Sequence, residues 1–284
     1  MIKDYYNLTK PGIIYGNAFT AAAGFFLAAQ GHINVVLFSA FLVGESFVIA
    51  SACVFNNYLD QDIDAKMART RNRALVRKAI LGNHAIIYAT ILGVAGFSLL
   101  AFYTNHVTVL IGLVGFIDYV VIYGITKRTT VQGTIIGSIS GAVPPMAGYC
   151  AVTGRIDTAA ILLFLMLLFW QMPHFYAIGI YRLHDYAAAK IPILPVEKGA
   201  YDTKVHIVLY AVGFFISSAL LTAYRYTGYS YLIIMGGVGL YWIWLCLKGF
   251  RTKNNIQWAR KVFLFSLVIN VVLCFLLLAN VALP

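Results

Sequence analysis

The chain of 284 residues is 61% hydrophobic and only 11% charged, and its mean hydropathy is +0.81. This composition excludes a water-soluble domain and predicts an integral membrane protein. The net charge of +11 raises the alternative of a nucleic-acid-binding protein, but the basic residues form no single stripe or tail. The four cysteines include no Cys-x-x-Cys pair, so the sequence supports neither a disulfide framework nor a thiolate metal site.

Nine apolar segments are long enough to cross a bilayer, which takes about 20 residues in a helix. The segments are continuously apolar and do not alternate with a period of two, which argues against a membrane barrel. We therefore predict an all-α bundle that forms one domain over residues 1–284. The predicted helices lie near residues 11–29, 35–57, 85–103, 107–124, 132–152, 158–179, 206–224, 230–247 and 262–280.

The distribution of basic residues predicts the orientation of this bundle. If the N-terminus is cytoplasmic, 19 of the 21 Lys and Arg residues fall on the inner side and only Arg155 and Arg225 on the outer side. Such an excess is the pattern of the positive-inside rule. The sequence thus predicts a cytoplasmic N-terminus and, with nine helices, a C-terminus outside.

The predicted inner side carries two long connections, residues 58–84 and 180–205. Each begins with acidic residues, in "YLDQDID" and in "YRLHDY", and four helices separate them. This spacing suggests a pseudo-repeat in which the two loops face one another across a shared cavity, as in other membrane folds built from repeats. We therefore expect the functional site on the cytoplasmic side.

The stretch "NNYLDQDIDAKMARTRNR" gathers three aspartates at the end of an apolar helix. Asn56, Asp60 and Asp64 would share an arc of about 80° on a helix, whereas Asp62 would point nearly the opposite way. A calcium-binding EF-hand loop is excluded, because Ala65 stands where glycine is needed and Arg71 where glutamate is needed. Two readings remain open: a solvated charge run, and a Mg²⁺ platform that binds a diphosphate through oxygen ligands.

This stretch resembles the Asn/Asp-rich signature of the UbiA-type intramembrane prenyltransferases. The stretches "KRTTVQGTIIGSISGAVPPMAGYCAVTG" and "WQMPHFYAIGIYRLHDYAAAKIPILPVEKG", with the early "LTKPG", resemble the haem-modifying branch of that family. The resemblance extends from about Leu8 through the ninth helix. The second acidic loop departs from the pattern Asp-x-x-x-Asp of many members, because Ala189 follows Asp185 four residues later.

The resemblance implies a UbiA-type fold in a bacterial inner membrane and a Mg²⁺-dependent reaction. In that reaction the farnesyl group of farnesyl diphosphate is transferred to a vinyl group of protohaem IX (haem B). Water is added, and the products are haem O and diphosphate. A haem A synthase and a haem-copper terminal oxidase are the partners that the resemblance suggests.

The residues expected at the site fall into three groups. The catalytic residues are Asn56, Asp60, Asp64 and Asp185, of which the three aspartates are the expected Mg²⁺ ligands. The expected diphosphate-binding residues are Arg69, Arg73, Lys127, Arg128 and Arg182, although the positive-inside rule alone also explains basic residues there. His174 and His206 are the expected haem-binding residues, while Glu45 and Asp118 belong to no motif and are left outside the site.

Two alternative functions remain at this stage. A prenyltransferase acting on a quinone precursor would share the metal site and differ in its acceptor pocket. A secondary transporter would also use broken helices and buried acids, but its coupling acids usually lie near the middle of the membrane. The acids here are predicted at the inner edge instead.

Overall fold

The computed structural model describes residues 2–279, and that part of the chain is helical and contains no strand. Nine of its helices are long and apolar enough to cross a membrane, which confirms the predicted helical bundle. They are α1 Pro11–Ala29, α2 Val35–Leu59, α3 Gly82–Tyr103, α4 His106–Thr129, α5 Gly133–Thr153, α6 Thr158–Tyr181, α7 Gly199–Ala223, α8 Tyr229–Arg251 and α9 Asn255–Ala279. The predicted end of the last helix at residue 280 and the predicted position of the C-terminus fall outside the described residues.

Two helices begin well before their predicted first residues. Helix α7 begins at Gly199 instead of near residue 206, and α9 begins at Asn255 instead of near residue 262. The added turns contain charged residues such as Asp202 and Arg260, which a search for apolar segments does not include. Helices therefore continue past the apolar span, because their backbone hydrogen bonds do not depend on side-chain hydropathy.

Helices α1 and α5 approach each other closely through small residues. A Cβ atom added at Gly24 of α1 would collide with the carbonyl oxygen of Pro145, and one at Gly148 would collide with that of Ala21. Pro144 and Pro145 lie inside α5, which nevertheless continues from Gly133 to Thr153. Small residues at such contacts are typical of membrane helix pairs, where close backbone packing supplies the attraction.

Large apolar side chains cover the outside of the bundle. The most exposed of those within the nine helices include Phe102, Leu110, Val94, Ile233 and Phe275. A soluble protein rarely exposes such a contiguous apolar surface, whereas a lipid-facing surface needs one. The chain is a multi-pass integral membrane protein.

One end of the bundle carries residues 60–81 and 182–198, and we call it the loop end. The first segment contains a short helix, Gln61–Asp64, and the second contains Leu183–Ala188 and Leu194–Glu197. The two segments pack on each other through Ile63 and Met67 on one side and Ala189 and Ile191 on the other. The fold thus joins the two loops that the sequence places about 120 residues apart.

Candidate active site

A cavity of about 570 Å³ lies inside the bundle and reaches the loop end. Its wall is built from α1, α2, α4, α5, α6 and α9, together with both packed loops. A volume of this size is ordinary for a site that binds a small molecule. The cavity is therefore the candidate active site.

Asn56, Asp60 and Asp64 all lie on the cavity wall. Helix α2 ends at Leu59 and Asp60 caps it, yet the helical spacing continues through the backbone bonds Asp60 N to Asn56 O, 3.0 Å, and Asp64 N to Asp60 O, 2.8 Å. This continuity places side chains four residues apart on one face. The structure thus brings these three predicted catalytic residues together.

Each of the two aspartates is paired with a cation that also lines the cavity. Lys127 Nζ lies 2.5 Å from Asp60 Oδ2, and Arg73 Nη1 lies 2.6 Å from Asp64 Oδ2. Arg73 also donates to Asn57 Oδ1, at 2.9 Å. Both carboxylates are buried, so removal of either cation would leave a buried charge without its partner.

Lys10 is a site residue that the sequence analysis missed. Its Nζ donates a hydrogen bond to Asn56 Oδ1 at 2.7 Å, and its side chain lines the cavity. The backbone of Lys10 is left-handed, with φ of 54°, directly before Pro11. Such a conformation is uncommon for a residue with a side chain and is found where the surrounding structure holds it. Burial lowers the pKa of Lys10 to about 8.

Asp62 and Arg128 lie beside the cavity and do not line it. Arg128 binds Asp62 through two hydrogen bonds of 2.8 and 2.9 Å, and it also donates to the carbonyl oxygen of Leu59 at 2.6 Å. The hydrogen bond from Arg128 lowers the pKa of Asp62. Arg128, expected as a diphosphate ligand, is therefore engaged mainly with Asp62, although its Nη2 also lies 3.3 Å from Asp60 Oδ1.

The second loop contributes a different set of residues from the one expected. Arg182 and Asp185 form a long ion pair of 3.9 Å with each other, and neither lines the cavity. The loop instead supplies Tyr186, Ile191, Pro192, Ile193 and Pro195 to the wall. Arg69, from the first loop, does line the cavity. The structure thus does not bring Asp185 together with Asp60 and Asp64.

Two carboxylates on the cavity wall, those of Asp60 and Asp64, are candidate ligands of a magnesium ion. Among residues 2–279, no three His, Cys, Asp or Glu side chains lie close enough together to hold a metal ion on their own. Magnesium commonly uses only one or two carboxylates and takes its other ligands from water and substrate phosphates. Asp60 and Asp64 meet this requirement, and within residues 2–279 nothing accepts a hydrogen bond from the buried Asn56 Nδ2 beside them. The residues fit a Mg²⁺ ion that is shared with a diphosphate.

The two candidate haem-binding histidines occupy different places. His174 lines the cavity, its Nδ1 lies 2.8 Å from Ser266 Oγ, and its ring stacks on Trp170 with centroids 5.0 Å apart. His206 lies between Tyr176 and Tyr210, away from the cavity wall. Only His174 is positioned to touch a molecule in this cavity.

Other cavity residues carried little or no signal in the sequence. Tyr119 lies within a π-helical segment of α4, Asp118–Ile122, and π-helical turns are frequent at functional sites. Tyr123 lies next to Lys127, whose Nζ is 5.1 Å from the ring centroid. Glu45 is also on the wall, whereas Asp118 is not and accepts a hydrogen bond from Ser140 N at 3.1 Å. A pattern search could have found the two tyrosines only as members of a tyrosine-rich helix.

A family model and a close relative both identify the family of this chain. The model of the UbiA prenyltransferase family matches residues 17–268. A protoheme IX farnesyltransferase of Sodalis glossinidius (strain morsitans) is 50% identical over 270 residues, which cover 94% of this chain and 91% of the relative.

Solved structures share the fold at low sequence identity. A digeranylgeranylglyceryl phosphate synthase matches with a TM-score of 0.82 and 18% identity, covering 99% of this chain and 98% of that one. A UbiA homolog from Archaeoglobus fulgidus, solved with GPP and Mg²⁺ bound, matches with a TM-score of 0.65 and 12% identity, covering 97% and 99%. The chain therefore belongs to the UbiA prenyltransferase family and, within it, to the protoheme IX farnesyltransferases.

Proposed function

We propose that this protein transfers the farnesyl group of farnesyl diphosphate to a vinyl group of protohaem IX, with addition of water, and releases haem O and diphosphate. The name of its relative at 50% identity supports the choice of farnesyl donor and haem acceptor. The product supplies haem-copper terminal oxidases, by way of a haem A synthase where haem A is made.

The observation that carries this proposal is the division of the cavity into two parts. Paired acids and bases lie at the loop end, whereas mainly small, apolar and aromatic side chains line the interior, with a few polar residues such as Gln171 and Glu45 among them. A prenyl diphosphate has the same division, since its charged group is joined to an apolar chain. The cavity thus suits a diphosphate at the loop end and a prenyl chain inside the bundle.

The cations at the loop end account for binding of the leaving group. Lys10, Arg69, Arg73 and Lys127 all line this part of the cavity. As diphosphate enters, Lys127 and Arg73 exchange carboxylate oxygens for phosphate oxygens, to which charge-assisted hydrogen bonds are strong. These bonds stabilise the charge that develops on diphosphate as the allylic C–O bond breaks.

Asp60 and Asp64 are the residues proposed to hold Mg²⁺, with Asn56 orienting a ligand or water beside them. When bound, the ion supplies further positive charge to the diphosphate oxygens. The A. fulgidus homolog that was solved with GPP and Mg²⁺ supports the use of a divalent ion in this fold. Asp185 stays a prediction as a third ligand, because its side chain lies off the cavity wall.

The interior is proposed to protect the farnesyl cation from water until the vinyl carbon attacks it. Packing of Met67 against Ile191 across the mouth limits the access of water. The rings of Tyr119 and Tyr123 present electronegative faces that favour a nearby cation. His174 is the proposed contact to haem, and His206 stays a prediction for that role.

The loop end is proposed to face the cytoplasm of a bacterium, in its inner membrane. The basic residues concentrate at this end, whereas Arg155 and Arg225 lie in the connections at the opposite end. The positive-inside rule then orients the bundle. This orientation gives the cavity access to water-soluble farnesyl diphosphate from the cytoplasm.

The proposal is tested with purified protein, haem B, farnesyl diphosphate and Mg²⁺. We expect diphosphate release to require both haem and Mg²⁺, and the purified protein mixed with haem to show a shifted Soret band. A quinone precursor supplied in place of haem should give no release. Release with the quinone precursor but not with haem would overturn the choice of acceptor while leaving the family assignment intact.

A further inference from the structure

One face of α2 lines the cavity along its whole depth. The lining residues are Glu45, Val48, Ile49, Ala52, Cys53 and Asn56. They follow the spacing of one side of a helix. Glu45 is the lining residue of α2 that lies farthest from the loop end, and no residue of α2 before it reaches the cavity.

The neighbouring helix ends the cavity at the same level. On α4 the lining residue farthest from the loop end is Gly112. A Cβ atom added at Gly112 would lie 3.8 Å from Glu45 Oε2 and 3.7 Å from Leu100 Cδ1. Leu100 is fully buried and lines no part of the cavity. Glu45 and Gly112 are therefore adjacent and close the cavity, and we call them the floor.

The depth of the cavity can be read from the helix rise. At 1.5 Å per residue, the floor at Glu45 lies about 16 Å from Asn56 along α2. An extended chain of single bonds advances about 1.2 Å per bond, so a farnesyl group reaches about 13 Å and a geranylgeranyl group about 18 Å. A farnesyl chain that begins near Asn56 thus ends short of the floor, and the longer chain would overrun it.

The Glu45 carboxyl group makes the floor polar, so the floor favours water over an apolar chain. Glu45 is 3% exposed, and its Oε2 has no hydrogen-bond partner among the residues that the structure describes. A chain that ends short of Glu45 leaves space for water to satisfy this oxygen. A longer apolar chain would displace that water without replacing its hydrogen bonds, which lowers affinity.

We propose that Glu45 and Gly112 determine the length of the prenyl chain that this protein accepts, by closing the cavity just beyond a farnesyl group. The inference rests on the proposed function, because it assumes that a prenyl diphosphate enters with its charged group at the loop end. It assigns a specificity role to an acid that takes no part in diphosphate binding.

The first test is a competition between farnesyl and geranylgeranyl diphosphate for haem B, with products measured by mass spectrometry. Glu45→Ala removes the carboxyl group and opens space, so the ratio of geranylgeranylated to farnesylated haem should rise by about ten-fold or more. Glu45→Gln retains both the size and the polarity of the side chain, so its ratio should stay within about two-fold of wild type.

A second variant changes the floor in the opposite direction. Gly112→Ala adds a methyl group that meets its neighbours only at ordinary contact distances, so the fold accommodates it. This variant reduces the space beyond a farnesyl group, so the ratio of geranylgeranylated to farnesylated haem should fall by about ten-fold, while the use of geranyl diphosphate should stay unchanged. Gly236→Ala is the matched control, since Gly236 lies away from the cavity and a Cβ atom there would meet no atom of the described residues within 4 Å.

Binding of unreactive geranyl, farnesyl and geranylgeranyl thiolodiphosphates tests this inference separately from the proposed function. If wild type makes no farnesylated haem, the proposed function fails, and the order of analogue affinities still tests the floor. The inference would be supported if the preference for longer prenyl chains rises in Glu45→Ala and falls in Gly112→Ala, measured either by products or by analogue affinity. Unchanged chain-length preference in a folded Gly112→Ala protein, or in a folded Glu45→Ala protein, would overturn it.

Discussion

At the scale of single residues, the three aspartates of the first loop are not equivalent. Asp60 and Asp64 are buried on the cavity wall and paired with Lys127 and Arg73. Asp62 is exposed, and it pairs with Arg128 outside the cavity. Exposed ion pairs contribute little to stability, whereas a buried charge without its partner is costly.

This asymmetry predicts different results for three matched substitutions. Asp60→Asn and Asp64→Asn should each lower the rate of prenyl transfer by at least about a hundred-fold, because each removes a charge that the proposed Mg²⁺ requires. Asp62→Asn should retain more than about half of the rate. The rates are measured as haem O formed per minute, with folding checked by size-exclusion chromatography; equal losses in all three variants would contradict the assignment.

Lys10 gives a prediction about pH. Its pKa of about 8 means that its ammonium group is charged at pH 7 and largely neutral at pH 9. A neutral Lys10 attracts diphosphate less, so the Kd for a farnesyl thiolodiphosphate should rise between pH 7 and pH 9. Arginine keeps its charge throughout this range, so Lys10→Arg should bind with a flatter pH dependence.

The same binding measurement includes its own control. Lys10→Met should bind the analogue about ten-fold more weakly than wild type at pH 7 and should show the same flatter pH dependence as Lys10→Arg. A wild-type Kd that stays constant from pH 7 to pH 9 would count against a role for the Lys10 charge.

At the scale of elements, the contact between the two loops is the main tertiary feature of the site. Met67 and Ile191 belong to one cluster, although they lie on different loops. We predict that a Met67→Cys, Ile191→Cys double variant is joined by a short bismaleimide reagent, because the two side chains pack together. The native cysteines within the described residues, Cys53, Cys150, Cys246 and Cys274, are buried and should react slowly.

The crosslink is measured by mass spectrometry of proteolytic peptides. A Met67→Cys, Lys253→Cys variant is the control, because Lys253 is exposed on the connection between α8 and α9 at the same end of the bundle. Efficient crosslinking to position 253, with none to position 191, would show that the loops do not meet over the cavity.

The sequence predicted the helices more accurately than it predicted the contacts between residues that lie far apart in the chain. The nine helices follow from apolar segments of sufficient length, so their existence is a local property. The contact of Lys10 with Asn56 joins residues 46 positions apart, which no local pattern contains. Arg128 and Arg182 resemble the other basic residues in the sequence, and only the fold places them off the cavity wall beside Asp62 and Asp185.

Helical periodicity fixes which side chains share a face. The sequence could therefore predict that one part of the site contains Asn56, Asp60 and Asp64. Glu45 belongs to no motif, although a carboxyl group within a membrane helix is by itself a sign of function. Its place at the floor depends on where α4 ends the cavity, and that is a property of packing.

At the scale of the whole molecule, the orientation of the bundle decides which compartment supplies the diphosphate substrate. We predict that a cysteine placed at Lys198, near the loop end, is labelled by a membrane-impermeant maleimide only after the inner membrane is opened. A cysteine at Arg155, near the opposite end, should be labelled in spheroplasts. Labelling of the two positions in the reverse order would contradict the cytoplasmic location of the cavity.

The proposed activity adds a farnesyl group and a water molecule to protohaem. The most direct measurement is mass spectrometry of haem extracted from cells that lack their own activity and express either wild type or Asp60→Asn. We expect a haem heavier than protohaem by one farnesyl group plus water with wild type, and protohaem alone with Asp60→Asn. Unmodified protohaem in cells that contain folded wild-type protein would contradict this activity.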